Sequence, residues 1–594
     1  MSEDLGRVAS LSGKFSRRTV LRGLAAGGTA GVLAGLLAAC GGSSSTPTAA
    51  SSTGGGTAAS GASTSTTTSS ASTTTTTTGA GTPSTGGSSA TPAGTAATSA
   101  TQAPKGKQGG TLTMGYNVQQ LLQLDPARIS TGRVAGELLP QICSALVQFD
   151  DKLNVIPDLA EKWEISDDGL TYTFHIRTGL KFHDGAPCTA QDFVYTYNRT
   201  LDPKLASPHA NKLKSITKAE APDDQTFVLT FSAPFAPFLP TTCTRGPGRA
   251  LTPVSKTSME KMGNDESLLK PVGCGPFKLV LDSMNSQSGF TMEAFDDYYG
   301  GRPLLDKIVV KFIPEPASQV NALAAGDIDM FNEIPPQGYA QLQGNDKVTV
   351  EKIHGTNWIA AQFNTARPPF NNQDARMAAA KGIDRDKFIK TALFGLAEPS
   401  VGAIAPAFGW ATQTEADLKE DPQKYDEAAA KQLAESSGLT KVKPVLLASA
   451  SDHRNEDEYR NQLLKIGVDC NLTLLQDSDF NDRWQKGDYD VAIQGSVVDA
   501  DPDDNDYNFF YPDGPWNTGK WNRPEAKALL DDERASTDQA KRAKDFQDLQ
   551  DLARKEAAFG FLYHAYFLPG YQTYVKGLPK VPEIFYMETV WLDK

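Results

Sequence analysis

Residues 157–199 read PDLAEKWEISDDGLTYTFHIRTGLKFHDGAPCTAQDFVYTYNR, and this stretch decides the architecture. Residues 170–177 (LTYTFHIR) alternate apolar and polar side chains and are rich in β-branched and aromatic residues. That is the pattern of a half-buried strand. Asp168-Gly169 in front of it has the chemistry of a hairpin turn. After a second turn, Asp184-Gly185, Thr189 stands where a helix N-cap is expected, with Asp192 in the first turn of an apolar-periodic helix from Ala190. Local physics therefore predicts hairpin, loop and helix.

The order of the motifs carries more than their local structure. PDLA-x-x-W (157–163), DG-x-T-x-x-F-x-I-R (168–177) and G-x-K-F-x-DG-x-P-x-TA-x-DF (179–193) resemble the signature of the family 5 solute-binding proteins, the peptide and nickel class of ABC importers. PVGCGPFKL at 271–279 resembles the family's G-x-GP turn into a strand, in which Gly gives backbone freedom and Pro fixes the exit. GDID at 326–329 and PPFNNQDAR at 368–376 resemble its passage between lobes and the entry to a long helix. The resemblance covers residues 109–594. It implies an α/β, two-lobed periplasmic-binding-protein fold of type II with an extra inserted domain.

Outward from that core, residues 1–40 read as targeting sequence. Arg17 and Arg18 in SRRTVLR resemble a twin-arginine export motif. LAAC at 37–40 resembles a lipobox, which makes Cys40 the lipid-modified first residue of the mature chain. A transmembrane helix is the other reading of residues 23–39, but seventeen mostly small residues are marginal for about 30 Å of hydrocarbon. From 41 to 101 every residue is Gly, Ser, Thr, Ala or Pro. Such a segment has nothing to bury against the entropy of ordering, so a disordered tether over 41–108 is expected. A flexible chain of about 65 residues has an r.m.s. span of about 45 Å.

The folded part, 109–594, is long enough for about three domains. Strands are expected near 111–116, 227–231, 308–314 and 468–475, a helix over 134–149 ending in a short strand, and two strands within 348–363. Helices are expected at 318–325, 425–437, 457–466, 479–486 and 538–558. Their alternation with strands is α/β patterning. The domain reading places lobe I at 109–150, 270–367 and 560–594, the inserted domain at 151–269, and lobe II at 368–559.

The net charge is −13, and residues 1–40, with five basic and two acidic groups, make the rest more negative still. No basic patch argues for nucleic acid. Besides Cys40 there are Cys143, Cys188, Cys243, Cys274 and Cys470, an odd number with no metal-ligand spacing. Two readings stand: a Cys243–Cys274 bridge, since both lie in Gly/Pro-rich context, or small buried hydrophobes.

After the strand ending at Gly495 the chain reads SVVDADPDDNDYNFF (496–510). This resembles the family's GW-x-x-D-x-x-DP, whose first Asp pairs with a peptide's α-amino group in the peptide-binding branch. That position is Asp499. Ser496 replaces the Trp and the spacing is one residue shorter, and an Asp in a strand-exit loop is also a common turn former. A calcium loop on Asp499, Asp501, Asp503 and Asn505 fails at its sixth and twelfth places, Asp504 and Phe510. The six histidines form no nickel cluster. The strand from His354 to Asn364 corresponds to a family strand that starts at the cleft, so Thr356, Asn357 and Trp358 are pocket candidates, with Trp410 beyond. Each Trp is either core or a platform for a ligand.

No G-x-S-x-G, HExxH or Cys/His pair argues for catalysis. The expectation is a monomeric, lipid-anchored binding protein outside the cell membrane, with no cofactor and no metal. It passes short peptides, or alternatively an oligosaccharide or other small solute, to an ABC permease. A surface hydrolase and a wall-spacing protein are the rivals from other classes.

Overall fold

The computed structural model describes residues 105–496 and 500–594. The 157–199 stretch forms the strands Ala160–Ile165 and Thr171–Ile176, paired antiparallel. At their turn Gly169 has φ 67°, and the Asp168 carboxylate accepts from the Ser166 hydroxyl (2.6 Å) and the Leu170 N–H (3.0 Å). The helix Ala190–Leu201 starts where expected, with the Thr189 N–H donating to Asp192 Oδ2 at 2.8 Å. Two further strands, Thr226–Phe231 and Ile216–Asp223, complete an antiparallel sheet of four. Tyr172, Phe174, Phe227 and Leu229 point from it against Phe193 of the helix to make a separate core.

Two larger sheets of seven strands carry the rest. The first runs Val348–Val350, Gly570–Gln572, Met330–Phe331, Thr111–Tyr116, Lys307–Phe312, Gly289–Ala294, Phe277–Leu279. The second runs Ile353–His354, Phe559–Phe567, Trp358–Phe363, Val491–Ser496, Val445–Ser449, Asn471–Leu475, with Ala397–Pro399 also on Phe559–Phe567. In the second sheet the parallel strands Val445–Ser449 and Asn471–Leu475 are linked through the helix Arg454–Lys465, as parallel pairing requires a crossover.

The chain leaves the first sheet between Val350 and Ile353 and returns between Phe567 and Gly570. The two crossing segments lie side by side, the Glu351 N–H donating to the Pro569 carbonyl at 3.0 Å. The lobe boundaries expected at 367/368 and 559/560 are thus displaced: Trp358–Phe363 and all of Phe559–Phe567 belong to the second sheet. A strand joins the sheet in which its ladder partners lie, and those partners are distant in sequence.

Two more expectations are corrected. The helix expected from residue 134 is broken into Gly132–Glu137 and Leu139–Ile142, the second carrying Pro140 in its first turn, where a missing N–H is tolerated. Cys243 and Cys274 are not bridged. All five described cysteines are free and buried, and Cys188, Cys243 and Cys274 pack as small apolar residues in the core of the four-stranded domain. Among the described residues no helix is long and apolar enough to cross a membrane. Arg17, Arg18, Cys40 and nearly all of the expected tether lie outside the described residues, as does Asp499.

Candidate functional site

The acidic run after the strand Val491–Ser496 opens the helix Asp503–Phe510, which faces the four-stranded domain across a seam. Asp501, Asp503 and Asp504 are paired within the protein, while Asp506 Oδ2 is buried without a hydrogen-bond partner. Asp501 takes a two-point bond from Arg542 (2.7 and 3.1 Å), which also holds Glu533 at 2.9 and 3.0 Å. Asp503 takes two bonds from Arg534 (2.6 and 3.0 Å), whose guanidinium lies 3.1 Å from the Tyr507 ring centroid. Asp504 meets Lys212 Nζ at 2.8 Å. Buried charges survive when paired in this way. Burial, then the Asp503 charge, push the Glu533 carboxyl up to about 11. Asp506 is raised by the same two causes, with the Trp358 indole beside it pulling the other way. The oxygens a calcium loop would use at Asp501 and Asp503 are committed to guanidinium groups.

Two cavities open along this seam. One, of about 350 Å³, is lined by Asn154 and Tyr172 on one side and by Trp410, Ala500, Asp501 and Arg542 on the other. The second, of about 440 Å³, lies between Lys212, Phe235 and Thr241 and the facing Asp504, Tyr507 and Arg534. Aromatic faces beside fixed charges suit the holding of a ligand with polar and apolar parts.

Of the residues named from sequence, Trp410 lines the first cavity, its ring 5.3 Å from the Arg542 guanidinium and 6.0 Å from Phe546. Asp499 immediately precedes Ala500 of the same cavity but lies outside the described residues. Trp358 is no platform. It is 1% exposed and packs on Phe509 (4.9 Å), Phe559 (5.7 Å) and Phe510 (5.9 Å), because its strand is covered on that face by the helix Asp503–Phe510. At Gly495, the other residue named for the pocket, packing by itself requires glycine: a Cβ there would stand 1.8 Å from the Trp358 carbonyl oxygen across the ladder. Asn357 clamps a neighbouring strand, donating to the Ala565 carbonyl (3.1 Å) and accepting its N–H (2.8 Å). The Thr356 hydroxyl donates to Glu583 Oε2 at 2.5 Å.

Glu583 belongs to a buried acidic pair that the motifs gave no reason to single out. Its partner, Glu137, accepts from Asn332 Nδ2 at 2.9 Å. Burial raises the Glu137 carboxyl to about 7, with Arg133, Tyr116 and Asn332 pulling it down and Glu583 pushing it up. Glu583 is raised by burial, against its bonds from Thr356 and Asn357. Through Asn332 and Thr356 this pair ties the end of the first-sheet strand Met330–Phe331 to the start of the second sheet. The one trace of it in the sequence is a lone carboxylate in the apolar helix Gly132–Glu137. His209 and His564 are buried and His183 is half-buried; desolvation lowers them to about 3, 4 and 4, and all three are bonded to backbone carbonyls, which gives each a structural role.

The family model for bacterial extracellular solute-binding proteins, family 5 (middle region), matches residues 154–518. The heme-binding protein A of Haemophilus influenzae is 28% identical over 502 residues, 78% of this chain and 88% of its own. The probable D,D-dipeptide-binding periplasmic protein DdpA of Escherichia coli is 29% identical over 445 residues, 73% of this chain and 84% of its own. The ABC transporter-associated periplasmic binding protein DppA of Helicobacter pylori, solved with the peptide STSA, superposes with a TM-score of 0.69 at 27% identity, covering 82% of this chain and 99% of that one.

Proposed function

Because this chain belongs to the family 5 bacterial extracellular solute-binding proteins and has their two-lobed type II α/β fold, we propose that it captures short peptides between two hinged lobes and hands them to an ABC permease. The observation that carries this reading is the pair of adjacent crossing segments, which join two lobes over a seam that holds two cavities. Two neighbouring crossings act as a hinge. A ligand held between the lobes favours the closed form by its differential affinity for it, and the permease reads the closed surface. The proposed bodies are a first lobe around the first sheet, the four-stranded domain inserted in it, and a second lobe around the second sheet.

Peptide is supported by two relatives, one named for D,D-dipeptides and one solved with a peptide. Asp499 is the proposed partner of the peptide's amino group. Asp499→Asn is then expected to weaken peptide binding by about 2 to 5 kcal/mol, and unchanged affinity removes that role. A different small solute is the second reading, favoured by the heme-binding relative at similar identity. For an oligosaccharide, Trp410 remains a stacking face and Trp358 does not. The proposed export route uses Arg17 and Arg18, and the lipid anchor is Cys40. Cys40→Ala is expected to release the protein from membranes.

The test is thermal unfolding of the full chain with a mixed short-peptide library and, in parallel, an oligosaccharide set. Ligand at about 100 times its dissociation constant adds about 2.7 kcal/mol, or several degrees at about 2–4 °C per kcal/mol. A shift with sugars alone overturns the peptide reading.

A further inference from the structure

We infer that Lys212 is a positioning residue for closure: its ammonium is the counter-ion that lets Asp504 enter the closed seam. This rests on the hinged-lobe reading above. Lys212 lies in the short turn Ala210–Leu213 of the four-stranded domain. Asp504 lies in the first turn of the helix Asp503–Phe510 of the second lobe. Lys212 Nζ is 2.8 Å from Asp504 Oδ1 and donates to the Thr241 carbonyl at 3.2 Å. Beside them the Ala236 N–H donates to the Arg534 carbonyl at 2.7 Å, and the Phe235 ring lies 5.6 Å from the Arg534 guanidinium. The Lys212–Asp504, Ala236–Arg534 and Phe235–Arg534 contacts cross the seam and border the 440 Å³ cavity, so they exist only while the lobes are together, whereas the Thr241 carbonyl holds Lys212 from its own side.

The two partners are not equivalent. Asp504 is the more buried, its side chain 20% exposed against 35% for Lys212. Its carboxylate neighbours, Asp501 and Asp503, have their own cations in Arg542 and Arg534 and repel it. Closing without Lys212 leaves Asp504 beside two like charges with no ion-pair partner, the buried Arg249 guanidinium that also feels its charge being bonded to the Ile129 and Pro247 carbonyls. Closing without the Asp504 charge leaves Lys212 free to swing its long stem into water. Removing one partner of a pair costs most when the group left behind is the buried one.

The experiment measures the interlobe distance distribution by pulsed electron spin resonance on the ligand-free full chain at low salt. Spin labels sit at the exposed positions Glu220→Cys and Asp532→Cys, the native cysteines of the folded part being buried. Lys212→Met is expected to shift the open-to-closed ratio about tenfold toward open. Asp504→Asn should stay within about twofold of the wild type, and so should the double variant. Lys212→Arg should retain closure. An unchanged ratio in Lys212→Met, or equal opening in Asp504→Asn, overturns the inference while leaving the hinge in place. One distance in every variant overturns both.

Discussion

Replacing Glu137 by Gln separates the pH dependence of one buried carboxyl from that of the rest of the protein. Glu137 is 2% exposed, and burial raises it from 4.5 to about 7, offset by Arg133, Tyr116 and Asn332 and reinforced by Glu583. In the unfolded chain the same group titrates near its ordinary value. Between about pH 4.5 and 7 the folded protein holds a proton that the unfolded chain has released. Stability from this group is therefore fully present below about pH 4.5 and is lost as pH rises toward 7. The difference between 7 and 4.5, at about 1.4 kcal/mol per pH unit, is about 3 kcal/mol. Gln keeps the shape and can still accept from Asn332, and it has no proton to lose. At about 2–4 °C per kcal/mol, the gap in Tm between Glu137→Gln and wild type should widen by about 6–12 °C from pH 4.5 to pH 8. The assay is calorimetric unfolding of both proteins across that range. Asp158, raised to about 6, and Glu456, raised to about 7, slope the same way as Glu137, and the low-titrating histidines slope the other way below pH 6.5. All are common to both proteins and cancel in the comparison. Parallel pH profiles would refute the assignment.

Two further outcomes follow from packing and charge. Trp358→Ala should cost about 3–5 kcal/mol by emptying an aromatic core, read as a lower midpoint in denaturant titration, while Trp358→Phe should bind ligand as wild type does; a binding defect in a stable Trp358→Phe would restore a ligand role. Arg542→Met should cost about 3–5 kcal/mol by leaving the buried Asp501 carboxylate without its cation, measured in the same titration, and a loss under about 1 kcal/mol would contradict the ion-pair geometry.

The motif region between Pro157 and Arg199 was legible because its signals act within a few residues: a turn at Asp168-Gly169, an alternating strand, and a cap at Thr189. The helix end at Gly326, where φ is 81°, and the helix start at Asp384, whose side chain accepts from the Lys387 N–H, are of the same kind. Trp410 was reachable as an aromatic in a Pro/Gly loop. Trp358 was not separable from it, since an indole in a strand has the same pattern whether its face is covered or open.

Turn chemistry, capping and hydrophobic period are set by near neighbours, so the elements, their family order and the α/β class could be read from the residues alone. Where the chain crosses between lobes, which carboxylates are neutralised and which aromatic faces stay accessible emerged only in the folded chain. Those depend on partners such as Lys212 for Asp504, 292 residues apart, and Glu583 for Thr356, 227 apart. A charge is stabilised or stranded by what the fold brings within about 3–4 Å of it, and no local pattern records that.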